Sequence, residues 1–472
     1  MEQLIAPDVR KIDEIGETDV TRPLRVRSGA SAARETLAAL FERPARRLRQ
    51  LRKSRLAKVL AVLGIFGPGL ITANAGNDAG AVATWSQVGA QYGYQLLWVL
   101  VIITVALSVV QEMCARMGAA TGQGLSDLIR ERFGVRGATF AMLTLFIANA
   151  LVTISEFAGV AAASELFGIS KYITVPIAAV GVWLLITRGS YGRVEKIFLV
   201  MTLAFLTYPI AAIMAQPDWR QVLLHTILPS GHLSLTFLQL LVATVGTTIT
   251  PYMQLFIQSS VAEKGVDMQH YASERTETYL GSVFAAIVVG SIVIATGATI
   301  FVAGNGATVI TDASQAAVAL EPFLGSLAPL LFGVGLIGAS LLAAAVVPLS
   351  TAYAVCESFG FERGISHSFA EAPVFHTLFT GMIAFGALVA LIPGLPLISL
   401  IIVAQIINGT LLPILLVFIL KLVNDRRIMG KYVNSRPENV IAWGTTIMLG
   451  ALSAVMIVTT LLVAVGVHLP TA

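Results

Sequence analysis

Asp78 stands where a charge is least expected, inside the first long apolar segment of the chain. Val59 to Phe66 enters as a hydrophobic helix, and Val82 resumes a helical pattern. Between them lie Asn74, Asn77 and Asp78, with glycines at 67, 69, 76 and 80. A charged side chain at bilayer depth costs about 2.5 kcal/mol or more, so it faces a protein interior or a water-filled cavity. Gly76 and Gly80 allow the backbone to leave helical geometry around Asp78. Freed carbonyls beside one carboxylate make a cation site. The plainer alternative is a packing kink in which Asp78 is only hydrogen-bonded or protonated.

A second stretch mirrors the first. Gly246 to Met253 sets Pro251 in the middle of an apolar segment, after the hydroxyls of Thr247, Thr248 and Thr250. Proline lacks an N–H and clashes one turn back, which frees carbonyls near Thr247. Other polar groups in apolar segments are Gln405, Asn408, Glu156 and Glu112. Glu112 has Arg116 four residues on, a helical ion-pair spacing. Gln111, Gln254 and Gln258 are expected to hydrogen-bond between helices. His225 and His232 fall in one loop, and the six histidines show no metal-ligand spacing. No P-loop, HExxH or GxSxG motif is convincing, so neither an ATP-driven pump nor an enzyme is expected, and no cofactor.

The elements that must position these groups are membrane helices. The chain has 472 residues, 56% hydrophobic and 12% charged, with mean hydropathy +0.81. Soluble domains carry about 25% charged residues. Apolar runs of about 20 residues, each long enough to cross a bilayer, recur along most of it. The expected spans are 58–88 (interrupted), 94–118, 138–166, 171–187, 194–215, 234–262, 278–303, 316–358, 374–393, 397–423 and 439–466. The eighth is too long for one crossing and is expected to extend into the cytoplasm at Glu357 to Arg363.

Charge sets the orientation. Arg43 to Lys58 is strongly basic and precedes the first span directly, which marks a cytoplasmic juxtamembrane segment rather than a nucleic-acid arm. Every second loop is basic, and the alternate loops 304–315 and 392–397 hold no Lys or Arg. The N-terminus is therefore expected inside and the C-terminus outside. The chain divides into a flexible basic tail (1–56), a first five-helix set (57–215), an extracellular loop (216–233), a second set in inverted orientation (234–423), and a cytoplasmic loop with the eleventh helix and external C-terminus (424–472). Two interrupted helices at corresponding positions of inverted halves point to a transporter's substrate site. Cys114 and Cys356 are expected as free thiols near the cytoplasmic side.

At this point the motifs resemble a known family. Gly67-Pro68-Gly69, Asp78-Ala79-Gly80-Ala81-Val82-Ala83-Thr84, and Gly89-Ala90-Gln91-Tyr92-Gly93-Tyr94-Gln95-Leu96-Leu97-Trp98 resemble the NRAMP family of divalent-metal transporters. Arg193-Val194-Glu195, Gln216-Pro217-Asp218-Trp219 and Asn424 to Gly430 extend the likeness over nearly all of 58–466. It implies an all-α membrane protein with the inverted five-plus-five repeat of LeuT, an eleventh helix, and helices 1 and 6 broken at the midplane.

The departures from the family pattern bear on the cargo. The family's Asp-Pro-Gly-Asn is here Asp78-Ala79-Gly80-Ala81, and its Met-Pro-His is Thr250-Pro251-Tyr252. The aspartate is kept, while the asparagine and the thioether are lost. The family's carbonyl ligand maps to Thr247 and its glutamine ligand to Gln405. This pattern resembles the NRAMP-related magnesium transporters. Oxygen ligands suit Mg²⁺, whereas a thioether selects softer metals. Mg²⁺ keeps several waters beside one or two carboxylates. The resemblance thus implies Asp78, Thr247, Thr250 and Gln405 around a partly hydrated Mg²⁺, with Asn74, Asn77, Ala81, Tyr252, Glu156 and Asn408 lining the pocket.

Proton coupling is not expected. Proton-coupled members carry a histidine after the sixth-helix proline, another five residues on, and acids along the third helix. Here those positions hold Tyr252, Ile257 and Thr153, and only Glu156 matches. Imidazole titrates near neutrality and a phenol near 10. A divalent ion gains roughly 4.6 kcal/mol from 100 mV of inside-negative potential, which suffices for uptake. The competing readings are a proton-coupled Mn²⁺ or Fe²⁺ importer and a metal-sensing receptor that does not transport. The expected setting is a cell membrane; the partners are the cation and the bilayer, not nucleic acid, and a monomer is compatible with all of these features.

Overall fold

The computed structural model describes residues 77–188, 206–231, 234–304, 306–365 and 367–464. The basic tail 1–56, Asn74, the entering half of the first span, most of the fifth span and His232 lie outside those residues. The described chain is helical: α1 (Ala79–Tyr92), α2 (Leu97–Thr121), α3 (Leu125–Leu166), α4 (Lys171–Thr187), α5 (Thr207–Met214), α6 (Trp219–Ile227), α7 (Leu235–Thr248) and α8 (Pro251–Glu263). It continues with α9 (Tyr271–Thr296), α10 (Ala313–Ala317), α11 (Glu321–Leu324), α12 (Ala328–Phe359), α13 (Pro373–Ala390), α14 (Leu397–Val423), α15 (Arg426–Met429) and α16 (Arg436–Ala464). Among the described residues, 8 helices are long and apolar enough to cross a membrane.

The column of the structure is α3. It packs against α12, α14, α13, α4 and α1. From Val152 to Ser164 every side chain is buried, as expected of a helix enclosed on all sides. Its start differs from the expected 138. Leu125 to Phe133 is already helical, and Gly134 at φ 69° divides it from the membrane-spanning part. Arg130, Glu131, Arg132 and Arg136 made this stretch read as loop, because hydropathy reports polarity and not conformation.

The eighth span is corrected more strongly. The apolar run from 316 to 358 is not one helix. It consists of α10, α11 and two short 3₁₀ turns, followed by α12 from Ala328 to Phe359. Gly325 at φ 52° ends α11, and Pro329 starts α12. Part of the surplus length therefore folds at the end opposite Glu357, while α12, 32 residues long, still runs past Glu357 to Phe359 as expected. The first span also continues to Tyr92, beyond the expected 88.

At the basic end a buried ionic cluster ties α2 to α9 and α16. Arg116 pairs with Glu112 (3.1 Å) and Glu438 (3.4 Å) and donates to Asn434 Oδ1 (2.6 Å). Tyr271 donates to Glu112 Oε1 (2.8 Å). Glu357 at the end of α12 accepts from Ser126 of α3 and pairs with Arg363 (3.1 Å). Cys114 and Cys356 are free and buried. Gln111 and Gln258 do bond to other elements, Gln111 Oε1 accepting from Ser282 (3.1 Å) and Gln258 donating to the carbonyl of Gln123 (3.1 Å). Gln254 instead bonds within its own helix region, to the carbonyl of Thr250 (3.5 Å).

One crossing brings two backbones almost into contact. A Cβ on Gly246 of α7 would stand 2.2 Å from the Gln405 carbonyl, and one on Gly409 of α14 would stand 2.4 Å from the Val242 carbonyl. Neither carbonyl can move without moving its helix. Gly246→Ala should therefore cost about 1–3 kcal/mol through overpacking, read as a lower unfolding temperature of the purified protein. Gly381→Ala on α13, where the added methyl meets nothing within 4 Å, should leave that temperature unchanged or slightly higher.

Candidate cation site

Asp78 places a carboxylate at the start of α1. Asp78 is extended (φ −72°, ψ −177°), and its Oδ1 accepts from the Ala81 N–H (2.9 Å). Aspartate at this position satisfies one of the orphan donors of the first turn, and the positive end of α1 favours its charge. Asp78 is 1% exposed, yet Oδ2 has no hydrogen-bond partner among the described residues. Asn77, fully buried beside it, leaves both amide atoms without a partner there too.

The second break faces α1 and α14. α7 ends at Thr248, Ile249 and Thr250 leave helical geometry, and Pro251 opens α8. Proline suits that first helical position because its missing N–H is not needed there, and the last carbonyls of α7 are left without their intrahelical donors. Thr247 and Thr250 are both 0% exposed. Thr247 Oγ1 has no partner among the described residues. Tyr252, one residue past the proline, is buried and within electrostatic reach of Asp78 and Glu156.

α14 carries two amides into this region. Asn408 Nδ2 donates to the Gly246 carbonyl (2.7 Å) and, at 3.4 Å, to Gln405 Oε1. Gln405 lies over the first turn of α1: a Cβ on Gly80 would fall 2.0 Å from its Nε2. That Nε2 has no partner among the described residues, and neither has Asn408 Oδ1. Gly80 is thus required for close approach, and the glycine spacing around Asp78 serves packing as well as the break.

Glu156 comes from α3. Its Oε2 accepts from the Ala79 N–H (3.3 Å), and it interacts electrostatically with Asp78. Ala81, at 1% exposed, offers a methyl where a longer side chain would fill space. The structure also adds a group that the sequence reading passed over, Ser340 of α12. A Cβ on Gly159 would meet both Ser340 Oγ (2.4 Å) and the Ala79 methyl (2.5 Å), so this hydroxyl lies close to Ala79 at the start of α1. It is fully buried and has no partner among the described residues. Its signal was there to find, since Ser340 is the only polar side chain between residues 328 and 345.

Among the described residues no three His, Cys, Asp or Glu side chains gather into a metal cluster. The arrangement offers one or two carboxylates with hydroxyl, amide and carbonyl oxygens around them. Such a donor set suits a hard, hydrated cation held partly through water.

Comparisons with known proteins agree with this architecture. The chain is 28% identical over 409 residues to the divalent metal cation transporter MntH of Klebsiella pneumoniae subsp. pneumoniae, covering 84% of this chain and 94% of that one. Its fold is similar to that of the Eremococcus coleocola manganese transporter in complex with an aromatic bis-isothiourea compound. There the TM-score is 0.67 at 21% identity, covering 86% of this chain and 89% of that one. The fold is also similar to that of Mhp1, a nucleobase-cation-symport-1 family transporter of LeuT type (TM-score 0.52, 16% identity, 83% and 90% covered). The family model for Nramp, natural resistance-associated macrophage protein-like, matches residues 69–459, both breaks included, and the chain belongs to that family.

Proposed function

We propose that the chain is a secondary transporter that carries Mg²⁺ into the cell by alternating access, without coupled protons. The observation that carries this reading is the pocket itself. Asp78 Oδ2, Thr247 Oγ1, Asn408 Oδ1 and Ser340 Oγ are buried oxygens left without protein partners among the described residues. Buried polar groups are normally paired with protein or with ordered water. Here they supply the contacts that a partly hydrated ion needs. Mg²⁺ sheds its water reluctantly and binds through one or two carboxylates plus waters.

Membership in the Nramp family supports divalent-metal transport in general. The preference within it rests on two positions. Thr250 stands where the family pattern has a thioether, and Ala81 where it has an amide; both changes remove a direct ligand and leave room for water. An inside-negative membrane potential sets the direction of such a carrier as uptake.

One observation favours the competing reading of a proton-coupled Mn²⁺ importer. Glu156 lies beside Asp78, and its Oε1 has no partner among the described residues. Its other oxygen is engaged by the start of α1, which gives Glu156 a structural task. The histidines expected of a proton path are replaced by Tyr252 and Ile257.

Two measurements test this function. In proteoliposomes, Asp78→Ala should reduce Mg²⁺ uptake by about 100-fold or more, as expected for loss of the main charge, while the purified protein elutes as wild type. Thr250→Met should shift the preference from Mg²⁺ toward Mn²⁺ and Cd²⁺ by restoring a soft ligand. Full Mg²⁺ uptake by Asp78→Ala removes the site assignment.

The second measurement follows internal pH while external Mg²⁺ is added under a potassium–valinomycin clamp. Internal pH should stay constant at all Mg²⁺ concentrations. Acidification that tracks Mg²⁺ and disappears in Glu156→Gln establishes the proton-coupled reading instead.

A further inference from the structure

Two cavities lie beyond Asp78 on the side away from the basic loops. The larger, about 350 Å³, is bounded by the last turn of α3, the segment leading into α10, and the start of α14; Glu165, Asp312 and Ser314 stand on its wall. The smaller holds only about 10 Å³ and begins at Ala79, next to Asp78. Val82, Ile310, Phe332, Leu336, Ile398 and Ile401 close around it. Ile398 lines both, so the two are neighbours along one path.

The small cavity is a seal against ions. A water molecule needs about 10–15 Å³ of such space and two or more polar partners. This void offers barely the space for one, within a lining that is apolar apart from Ser86. A divalent ion stripped of water in apolar surroundings is prohibitively unstable, and hydrophobic constrictions gate by excluding water. The acidic vestibule is thus separated from Asp78 by an apolar plug.

One part of that plug is fastened to the helix that carries the site. Residues 306–311 form a strap along α1. The Thr308 N–H donates to the Ala90 carbonyl (2.9 Å). Gln87, 2% exposed, holds the strap from both sides: its Nε2 donates to the Thr308 carbonyl (3.4 Å), and its Oε1 accepts from the Ile310 N–H (3.0 Å). Two residues apart, Ile310 of the strap enters the plug and Asp312, just past its end, the vestibule wall.

We propose that this plug is the gate of the transport path on the vestibule side, and that Gln87 is the positioning residue that makes the gate move with α1. Displacing α1 then carries Ile310 with it, so opening at the plug and rearrangement at Asp78 become one event. The proposal rests on Asp78 as the cargo site but on no particular cargo. Its labelling test needs no metal, so that test fails or stands apart from the Mg²⁺ reading.

The test is cysteine labelling of the full chain in intact cells with a membrane-impermeant maleimide. The two native cysteines are buried and free, which leaves a low background. Ser314→Cys reports the vestibule and Ala79→Cys the far side of the plug. Should Ala79→Cys fail to fold, Ala83→Cys, on the same small cavity, takes its place. Position 314 should label readily, and position 79 at least about tenfold more slowly behind a dewetted gate. Adding Ile398→Ala, or separately Gln87→Leu, should raise the rate at position 79 several-fold and leave position 314 unchanged. Gln87→Leu should also alter the maximal uptake rate more than the half-saturating concentration, which mere destabilisation does not do. Equal rates at positions 79 and 314 in the wild-type background, or no response to Ile398→Ala, overturn the gate. A response to Ile398→Ala but none to Gln87→Leu overturns the coupling.

Discussion

A carboxylate in the middle of a membrane protein must receive from the chain what water would otherwise provide. Asp78 receives it from the start of α1, where the Ala81 N–H and the exposed end of the helix face its charge. That solution satisfies one oxygen and leaves Oδ2 for something else. An unbroken helix has no free N–H to offer in mid-span, so the charge and the helix start require each other. The same requirement places Pro251 at the opposite break, where the last carbonyls of α7 and the first turn of α8 part from one another.

The rest of the packing follows from bringing side chains to those two ends. Gln405 and Asn408 reach the break only because α7 and α14 cross at glycine distance. Gly80 admits Gln405 over α1, and Gly159 admits Ala79 and Ser340 beside α3. Without hydrophobic drive between helices in lipid, small residues are what allow close contact. The glycines therefore set the size of the pocket as much as its ligands do. The ionic cluster around Arg116 works at the other scale, since breaking a buried pair by removing one partner is strongly destabilising. It holds the basic ends of α2, α9 and α16 together while the centre stays loosely paired.

Much of this was legible in the residues. The fourth and tenth spans were read at their observed limits, 171–187 and 397–423, because each is an apolar run bounded by polar or proline residues. The break in the sixth span was signalled by Pro251 after three hydroxyls. What escaped has physical reasons. Hydropathy cannot distinguish one long helix from short turns of equal apolarity, and so the folded segment between 313 and 327 was merged with α12. Nor does it recognise a polar helix, and the start of α3 was lost. Ser340 was missed because a single hydroxyl in an apolar helix usually bonds to its own backbone. Its isolation in the sequence marks it, and the close approach at Gly159 shows that it lies near Ala79 of α1. The strap held by Gln87 carries no periodic signal at all, since its partners are backbone groups more than two hundred residues away.

The proposed gate and the ionic cluster around Arg116 differ in chemistry, and the difference suits the proposed carrier. An apolar plug costs little to part and re-form, because only a few side chains exchange contacts and no charge is uncovered. A cluster of paired charges is costly to break, so it keeps the basic ends of the helices registered. The site between them offers a divalent ion one or two negative charges and otherwise neutral donors. In the proposed uptake, so few charges attract the ion without trapping it, and a membrane potential worth roughly 2.3 kcal/mol per charge per 100 mV delivers it. Stronger ligation would raise affinity at the expense of release. On the proposed reading, the absence of a thioether and an amide at Thr250 and Ala81 suits the site to a hydrated ion, and the glycine-set pocket supplies the room which that hydration requires.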